Sequence, residues 1–241
     1  MKVKDIKNRV TLLNVAASLF MQIASVISAL IVPRLILETF GSSTNGLVSS
    51  ISQFLNYITL VEGGITGVIS ANLYKPLVDG DNKKLSSVLT TARSFYRKIG
   101  VLFIGYSVVL GVVYPFFVDT DYEYWYVFAL TLTLSIGLML QYMFSLTFTT
   151  LLNADKKVYI VAFTGTVLTI ANIILTLVVV NVYPDIIVLK FASAILFVLQ
   201  PIFYGLYINK HYNIDWNADK DNSLIKQRWN GFAINLAFFI H

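Results

Sequence analysis

The chain has no cysteine and few charged residues. Without cysteine it cannot form disulfides, thiolate metal sites or a cysteine nucleophile. Only 13% of its residues are charged, against about 25% in soluble domains. No polar stretch reaches the ~50 residues that a separate soluble domain needs. What fills the chain is apolar: 56% of residues are hydrophobic and the mean hydropathy is +0.71. The composition therefore predicts an all-α, polytopic integral membrane protein.

Six apolar runs are long enough to cross a membrane as helices, which takes about 20 residues each. The predicted spans are residues 14–32, 46–74, 99–118, 126–152, 158–181 and 186–208. A further apolar helix begins within residues 209–241, and the sequence ends inside it. We therefore expect a transmembrane lobe over residues 1–208, followed by a linker and the start of a seventh, truncated span. Such a lobe alone should insert into a membrane but not transport.

The polar segment between the second and third spans has a helical repeat of its own. Apolar residues recur there at steps of three and four, which is typical of an amphipathic helix. They are Leu85, Val88, Leu89, Ala92, Phe95, Tyr96 and Ile99. We expect this helix to run into the third span.

Basic residues are distributed very unevenly between the two sides of the predicted topology. All 18 lysines and arginines except Arg34 and Lys190 lie at the N-terminus or in the segments after the second, fourth and sixth spans. Cytoplasmic loops are enriched in Lys and Arg, so this side, with the N-terminus, is predicted to be cytoplasmic. The positive charge thus indicates topology and not binding to nucleic acid.

The strongest candidate for a functional residue is Glu62, inside the second predicted span. A charge at mid-membrane costs at least ~2.5 kcal/mol, so by default it marks a cavity or an ion pathway. Gly63, Gly64 and Gly67 follow it and favour close helix packing or, alternatively, a hinge. One face of this span is polar and includes Asn56. The opposite face is predicted to contact lipid and consists of Phe54, Tyr57, Ile58, Val61, Ile65, Val68 and Ile69.

Other polar side chains within spans have two open interpretations. Four amides could form ordinary hydrogen bonds between helices or line a sugar-binding cavity: Gln53, Asn56, Gln141 and Asn172. Arg34 and Lys190 could anchor helix ends at the interface, the favoured interpretation, or bind phosphate, which suits an arginine fork. Gln200-Pro201 indicates a kink. No metal-ligand spacing or nucleotide-binding motif is present, so no metal or cofactor is expected.

Several motifs together resemble a known family. They are the basic amphipathic N-terminus before a span ending in Pro33-Arg34, the acidic-glycine pair in LVEGGITGVISANLYKPL, and the turn LLNADKKVYI between the fourth and fifth spans. This combination resembles the Wzx-type polysaccharide flippases of the multidrug/oligosaccharidyl-lipid/polysaccharide exporter superfamily. The resemblance implies two lobes around a central cavity in the bacterial cytoplasmic membrane. It also implies export of undecaprenyl-diphosphate-linked oligosaccharide by alternating access, without enzymatic activity. The partners implied are other membrane proteins of polysaccharide assembly.

Two alternatives remain open at this point. One is a multidrug cation antiporter of the same superfamily, although residues 14–32 lack the acid that such proteins often carry in their first span. The other is an integral-membrane glycosyltransferase using one of two Asp-x-Asp triplets, Asp79–Asp81 or Asp119–Asp121. Two points weigh against an enzyme. Asp-x-Asp triplets are common in turns, and the predicted outer loops are too short for the extracytoplasmic domain that such enzymes usually carry.

The topology can be tested by cysteine labelling, because the chain contains no native cysteine. Cysteines replacing Lys83 and Lys157 should be protected from an impermeant thiol reagent in intact cells, whereas a cysteine replacing Tyr122 should be labelled. The opposite pattern would reverse the predicted orientation.

Overall fold

The computed structural model describes residues 3–118 and 122–221, with side chains described for 8–58, 65–118 and 122–221. Every regular element in these ranges is helical. The helices are α1 Val3–Asn56, α2 Thr59–Asp79, α3 Asn82–Val113, α4 Tyr124–Leu140, α5 Leu146–Ala154, α6 Val158–Val182 and α7 Ile186–His211. A 3₁₀ turn at Tyr114–Phe116 extends α3, and a π-helical segment at Gln141–Ser145 joins α4 to α5 without interruption.

Five helical stretches are long and apolar enough to cross a membrane: Asn8–Asn56, Asn82–Phe116, Tyr124–Ala154, Val158–Val182 and Ile186–His211. Many of their large apolar side chains are exposed, for example Leu12 (71%) and Leu30 (69%) on α1. Hydrocarbon tolerates such a surface, whereas water does not. The prediction of an all-α protein whose helices are long and apolar enough to cross a membrane is confirmed. The predicted number of spans is not: the described residues form five such stretches where six were predicted, because the start of the second predicted span is the end of α1. The predicted start of a seventh span lies outside the described residues.

The first helix does not end where the sequence predicted. α1 continues through Pro33, and its helical geometry is broken only at Gly41, with φ 82° and ψ 173°. Side chains rarely adopt this backbone conformation, and glycine adopts it readily. The end of the first span at Pro33-Arg34 was therefore wrong: proline interrupts one hydrogen bond, but the chain turns at glycine.

The second predicted span, residues 46–74, is not one helix. Its first part is the end of α1, and its second part belongs to α2, with a break at Tyr57 and Ile58. There the amides donate three residues back, Tyr57 N–H to Phe54 O (3.2 Å) and Ile58 N–H to Leu55 O (3.5 Å). The Tyr106 hydroxyl of α3 donates to the same Phe54 carbonyl at 2.7 Å. A neighbouring helix thus satisfies a backbone group at the break, as an apolar environment requires.

The orientation of this second crossing also differs from the prediction. Ile58, Ile65 and Ile69, expected to contact lipid, are buried in the core of the chain. They belong to the segment that packs against α3 and α5. Gln53 and Asn56, near the break, are exposed. The prediction for the apolar face is therefore wrong for these three isoleucines, whereas Phe54 and Tyr57 on the same face are exposed as predicted. Part of the polar face is left uncovered by the described residues.

α3 lies at the centre of the bundle and packs against α2, α4 and α5. The predicted amphipathic repeat is confirmed: its apolar residues form the buried stripe, and only Phe95 is less than fully buried. Gly100 on this helix permits the π-helical segment to approach, since an added Cβ would lie 2.9 Å from Met143 Cγ.

At the basic end of the bundle, hydrogen bonds tie distant segments together. Asn14 of α1 donates through Nδ2 to Lys156 O (2.7 Å) and accepts from the Tyr159 amide (2.9 Å). Asp155 accepts from the Tyr212 hydroxyl (2.5 Å) and pairs with Lys157 Nζ (2.8 Å). Burial and the Asp155 carboxylate raise the pKa of Tyr212 above its usual value, so this hydroxyl stays a donor.

The segment after α7, part of the predicted linker, is docked onto α3. Its backbone bonds to Ser86, Ser87 and Thr91, and Asp221 pairs with Lys84 at 2.5 Å. Trp216 lies under the Arg93 guanidinium at 5.1 Å. Residues 212–221 therefore cover the basic end of α3 and do not extend away from the bundle.

Replacing Asn14 by Ala should destabilise the packing of α1 on α6. The change removes two hydrogen bonds, each worth about 0.5–1.5 kcal/mol net, so the free energy of unfolding should fall by about 1–3 kcal/mol. Thermal unfolding of the detergent-solubilised protein measures this. Asn153→Ala is the matched control, because the Asn153 side chain is exposed. Equal unfolding temperatures for the two variants would contradict the role given to Asn14.

Candidate functional site

A pocket with a mixed lining, more apolar than polar, lies between the end of α4 with its π-helical segment and the middle of α7. Its volume is about 320 Å³. The lining residues are Leu134, Gly137, Leu138, Leu140, Gln141, Ser145, Phe197 and Gln200. Gln141 is near the midpoint of the stretch Tyr124–Ala154, and Gln200 is near the midpoint of Ile186–His211. We refer to this space as the amide pocket.

Both helices that form the amide pocket are irregular at this depth. The π-helical segment Gln141–Ser145 replaces the regular hydrogen-bond ladder on one side. On the other side Pro201 has no N–H, so the carbonyl of Phe197 lacks its helical donor. π-segments often occur at functional sites, because they redirect side chains and expose backbone polar groups. Backbone and side-chain polarity are thus concentrated in one place.

The two glutamines present different groups to the pocket. Gln141 is exposed, so both its donor and its acceptor face open space. Gln200 donates through Nε2 to the Tyr204 hydroxyl at 3.0 Å, and Tyr204 in turn donates to Val161 O at 3.4 Å. These two consecutive hydrogen bonds fix the orientation of the Gln200 amide. Within the described residues they leave its Oε1 available as an acceptor. A ligand with both hydroxyl donors and acceptors could bond to such a pair.

Lys190 lies on the same helix as Gln200, nearer the outer end. It is the fifth residue of α7, is half-buried, and has no carboxylate partner in the described part of the chain. Phe197, which lines the amide pocket, follows it by two helical turns, so the two share a face about 10 Å apart along the axis. An unpaired cation here favours anions over cations along this face.

Arg34 is already paired. Its Nε donates to Glu38 Oε1 at 2.7 Å, one turn along α1, and both side chains are largely exposed. Exposed pairs of this kind contribute little to stability. The local carboxylate compensates the guanidinium charge, so Arg34 is a weaker anion site than Lys190.

The candidates around Glu62 are only partly described. The backbone of Glu62, Gly63 and Gly64 lies in the first turns of α2, just after the break; their side-chain surroundings lie outside the described residues. Gly67 is exposed, and a Cβ built there would meet nothing within 4 Å. No described helix packs closely on Gly67, so its face is open.

Asn172 lies near the middle of α6, apart from the amide pocket. Its side-chain Oδ1 is buried and has no hydrogen-bond partner among the described residues. The Thr176 hydroxyl donates to its backbone carbonyl at 2.8 Å. Gln53, Asn56 and Asn172 do not line the amide pocket. Of the four amides singled out from the sequence, Gln141 therefore lines the amide pocket and the other three lie elsewhere.

Sequence reasoning missed Gln200 and Ser145 as pocket residues. Gln200-Pro201 was interpreted as a kink only, although an amide beside a proline in an apolar helix marks both a polar side chain and a free carbonyl. Ser145 carried no signal. The aspartates of one Asp-x-Asp triplet have a local role, since Asp81 caps α3 by accepting from the Lys84 amide at 2.9 Å. The second triplet, Asp119–Asp121, lies outside the described residues.

No protein-family model, curated protein or solved structure matches this chain.

The amide pocket should be reached by water. A cysteine replacing Gln141 should react quickly with a small charged thiol reagent, because only a thiolate in contact with water is reactive. A cysteine replacing Leu199, which is 53% exposed and directly precedes Gln200, should react slowly since that surface is apolar. Equal rates in membranes would show that the pocket opens to lipid.

Proposed function

We propose that this chain forms one lobe of a flippase that exports undecaprenyl-diphosphate-linked oligosaccharide across the bacterial cytoplasmic membrane, with its N-terminus in the cytoplasm. The observation that carries the proposal is the amide pocket, which has two glutamines in its lining near the midpoints of two irregular helical stretches. Transporters of several folds bind substrate near the midplane, where discontinuous helices expose backbone groups.

The chemistry of the amide pocket suits a sugar. Gln141 and Gln200 offer amide donors and acceptors, and Ser145 adds a hydroxyl to the lining. Sugar hydroxyls both donate and accept, so each can bond to an amide in either sense. Apolar lining residues, such as Leu138, can contact the less polar faces of a sugar ring.

Lys190 favours an anionic lipid-linked substrate over the cations of a multidrug antiporter. It is half-buried in α7 without a described carboxylate partner. A lysine ammonium binds phosphate as a point charge. The Lys190 ammonium would repel a cationic substrate that passed along this face. Glu62 stays in the proposal as a residue of the pathway, for coupling to protons or cations or for binding sugar hydroxyls.

Uncovered polar side chains support a two-lobe arrangement. Gln53, close to the break between α1 and α2, and Gln141 are both exposed. Amides that face hydrocarbon without partners cost several kcal/mol each. A second lobe enclosing a polar cavity would remove this cost. The glycosyltransferase alternative loses support at Asp81, whose carboxylate caps α3.

The export test uses Gln141→Leu, Gln200→Leu and Glu62→Gln in the full-length protein. Each amide variant should lower export per folded molecule about three- to tenfold, since one hydrogen bond is worth about 0.5–1.5 kcal/mol. Glu62→Gln should also lower export while membrane abundance stays near wild type. The lipid-linked precursor should accumulate on the cytoplasmic leaflet, and export is measured as surface polysaccharide per folded protein.

Asn181→Ala is the matched control, because this amide is exposed and bonds only within its own helix, to Leu177 O at 2.7 Å. Failure to form the precursor would indicate an enzyme. Unchanged export with Gln141→Leu and Gln200→Leu would remove the amide pocket from the transport pathway.

A further inference from the structure

A long apolar groove runs along the outside of the bundle at its basic end. Its volume is about 670 Å³. α6 forms the floor, with Tyr159, Phe163 and Thr166 among its lining residues. α1 and α7, which both pack against α6, form the two walls. The wall residues are Leu13, Ala16, Ala17 and Phe20 from α1, and Phe203 and Tyr207 from α7.

The groove has the length of a lipid chain segment within one leaflet. Ala16 and Ala17 keep the α1 wall shallow, and four residues further along the helix Met21 packs onto Gly165, with Met21 Cε 3.0 Å from the position of an added Cβ. From Leu13 to Phe20 the helix rises about 10 Å. Half of a hydrocarbon core is about 15 Å thick. Along α1 the groove is therefore about two thirds as long as one leaflet's hydrocarbon layer is thick.

The mouth of the groove is held in place by Asn14, the neighbour of Leu13. Its side chain bonds to Lys156 O and to the Tyr159 amide. The turn that carries Lys156 is thereby fixed between the α1 wall and the α6 floor. Tyr159 and Tyr207 lie at the same end, at the depth where aromatic residues with a polar tip are enriched.

Two exposed cations, Arg9 and Lys156, lie within one helical turn of groove-lining residues along the chain. Lys156 is exposed and lacks a carboxylate partner within the described residues, because the adjacent Asp155 is engaged by Lys157 and Tyr212. Arg9 is also exposed and precedes Leu13 by one helical turn, on the face of α1 that forms the groove wall. Positive charge thus lies near the end of the α1 wall and in the turn that leads into the α6 floor, next to an apolar channel.

We propose that the groove binds one acyl chain of an anionic phospholipid from the leaflet at the basic end, with its headgroup beside Arg9 and Lys156. The apolar floor and walls accept the chain, and the two cations select an anionic headgroup over a zwitterionic one. The proposal concerns a resident lipid and does not depend on what the protein transports.

Native mass spectrometry of the full-length protein, released from vesicles of equimolar phosphatidylglycerol and phosphatidylcholine, tests the proposal. The wild-type protein should retain phosphatidylglycerol preferentially. Arg9→Gln and Lys156→Gln should each lower that retention about fivefold, the effect of removing one basic residue near an anionic surface. Lys83→Gln, an exposed cation at the same end but on α3, should leave it unchanged.

A second variant tests the channel itself. Ala17→Phe fills the groove without altering charge, and it should lower retention of both lipids. Equal losses with Lys83→Gln and Lys156→Gln would reduce the effect to diffuse surface charge and overturn the site. Undiminished phospholipid retention by the Ala17→Phe variant would show that the acyl chain binds outside the groove and would overturn the proposal. Displacement by undecaprenyl phosphate at lower concentration than by phosphatidylglycerol, or dimerisation through this face, would assign the groove to another occupant.

Discussion

Every backbone polar group inside hydrocarbon must find its partner within the protein, and the rest of this structure depends on that constraint. It explains why all described elements are helices. It also explains why departures from helix come with a compensating group. Where the second crossing breaks, the Tyr106 hydroxyl reaches the carbonyl of Phe54. Within α3, α4 and α5, buried Ser and Thr hydroxyls bond back to carbonyls of their own helix, as Ser107 and Thr131 do.

The same constraint gives the amide pocket its significance. A π-helical segment and a proline at matching depth expose backbone polarity in the part of the bundle where it is most costly. Gln141 and Gln200 add side-chain polarity at the same point. Amides at this position either bond to other protein groups, as Gln200 does to Tyr204 within its own helix, or remain available to a polar ligand.

The two ends of the bundle are built differently. At the basic end, Asn14, Asp155 and Tyr212 link α1, the α5–α6 turn and the end of α7, and residues 212–221 are fastened to α3. At the outer end the described links are fewer, notably the hydrogen bond between Thr44 Oγ1 and Tyr122 OH at 2.5 Å. The described links between distant segments are thus concentrated at the basic end, where the lipid groove is proposed.

The sequence by itself determined the helical class and the buried stripe of α3, because hydropathy and helical period report apolar length and amphipathicity directly. It could not tell which apolar face meets protein and which meets lipid, since both environments are equally apolar. For this reason Ile65 and Ile69 were expected in lipid and lie in the core. Only the tertiary structure showed that α1 passes Pro33 and turns at Gly41, and that Gln141 shares a pocket with Gln200. These features depend on contacts between segments far apart in the chain, and no local pattern encodes them.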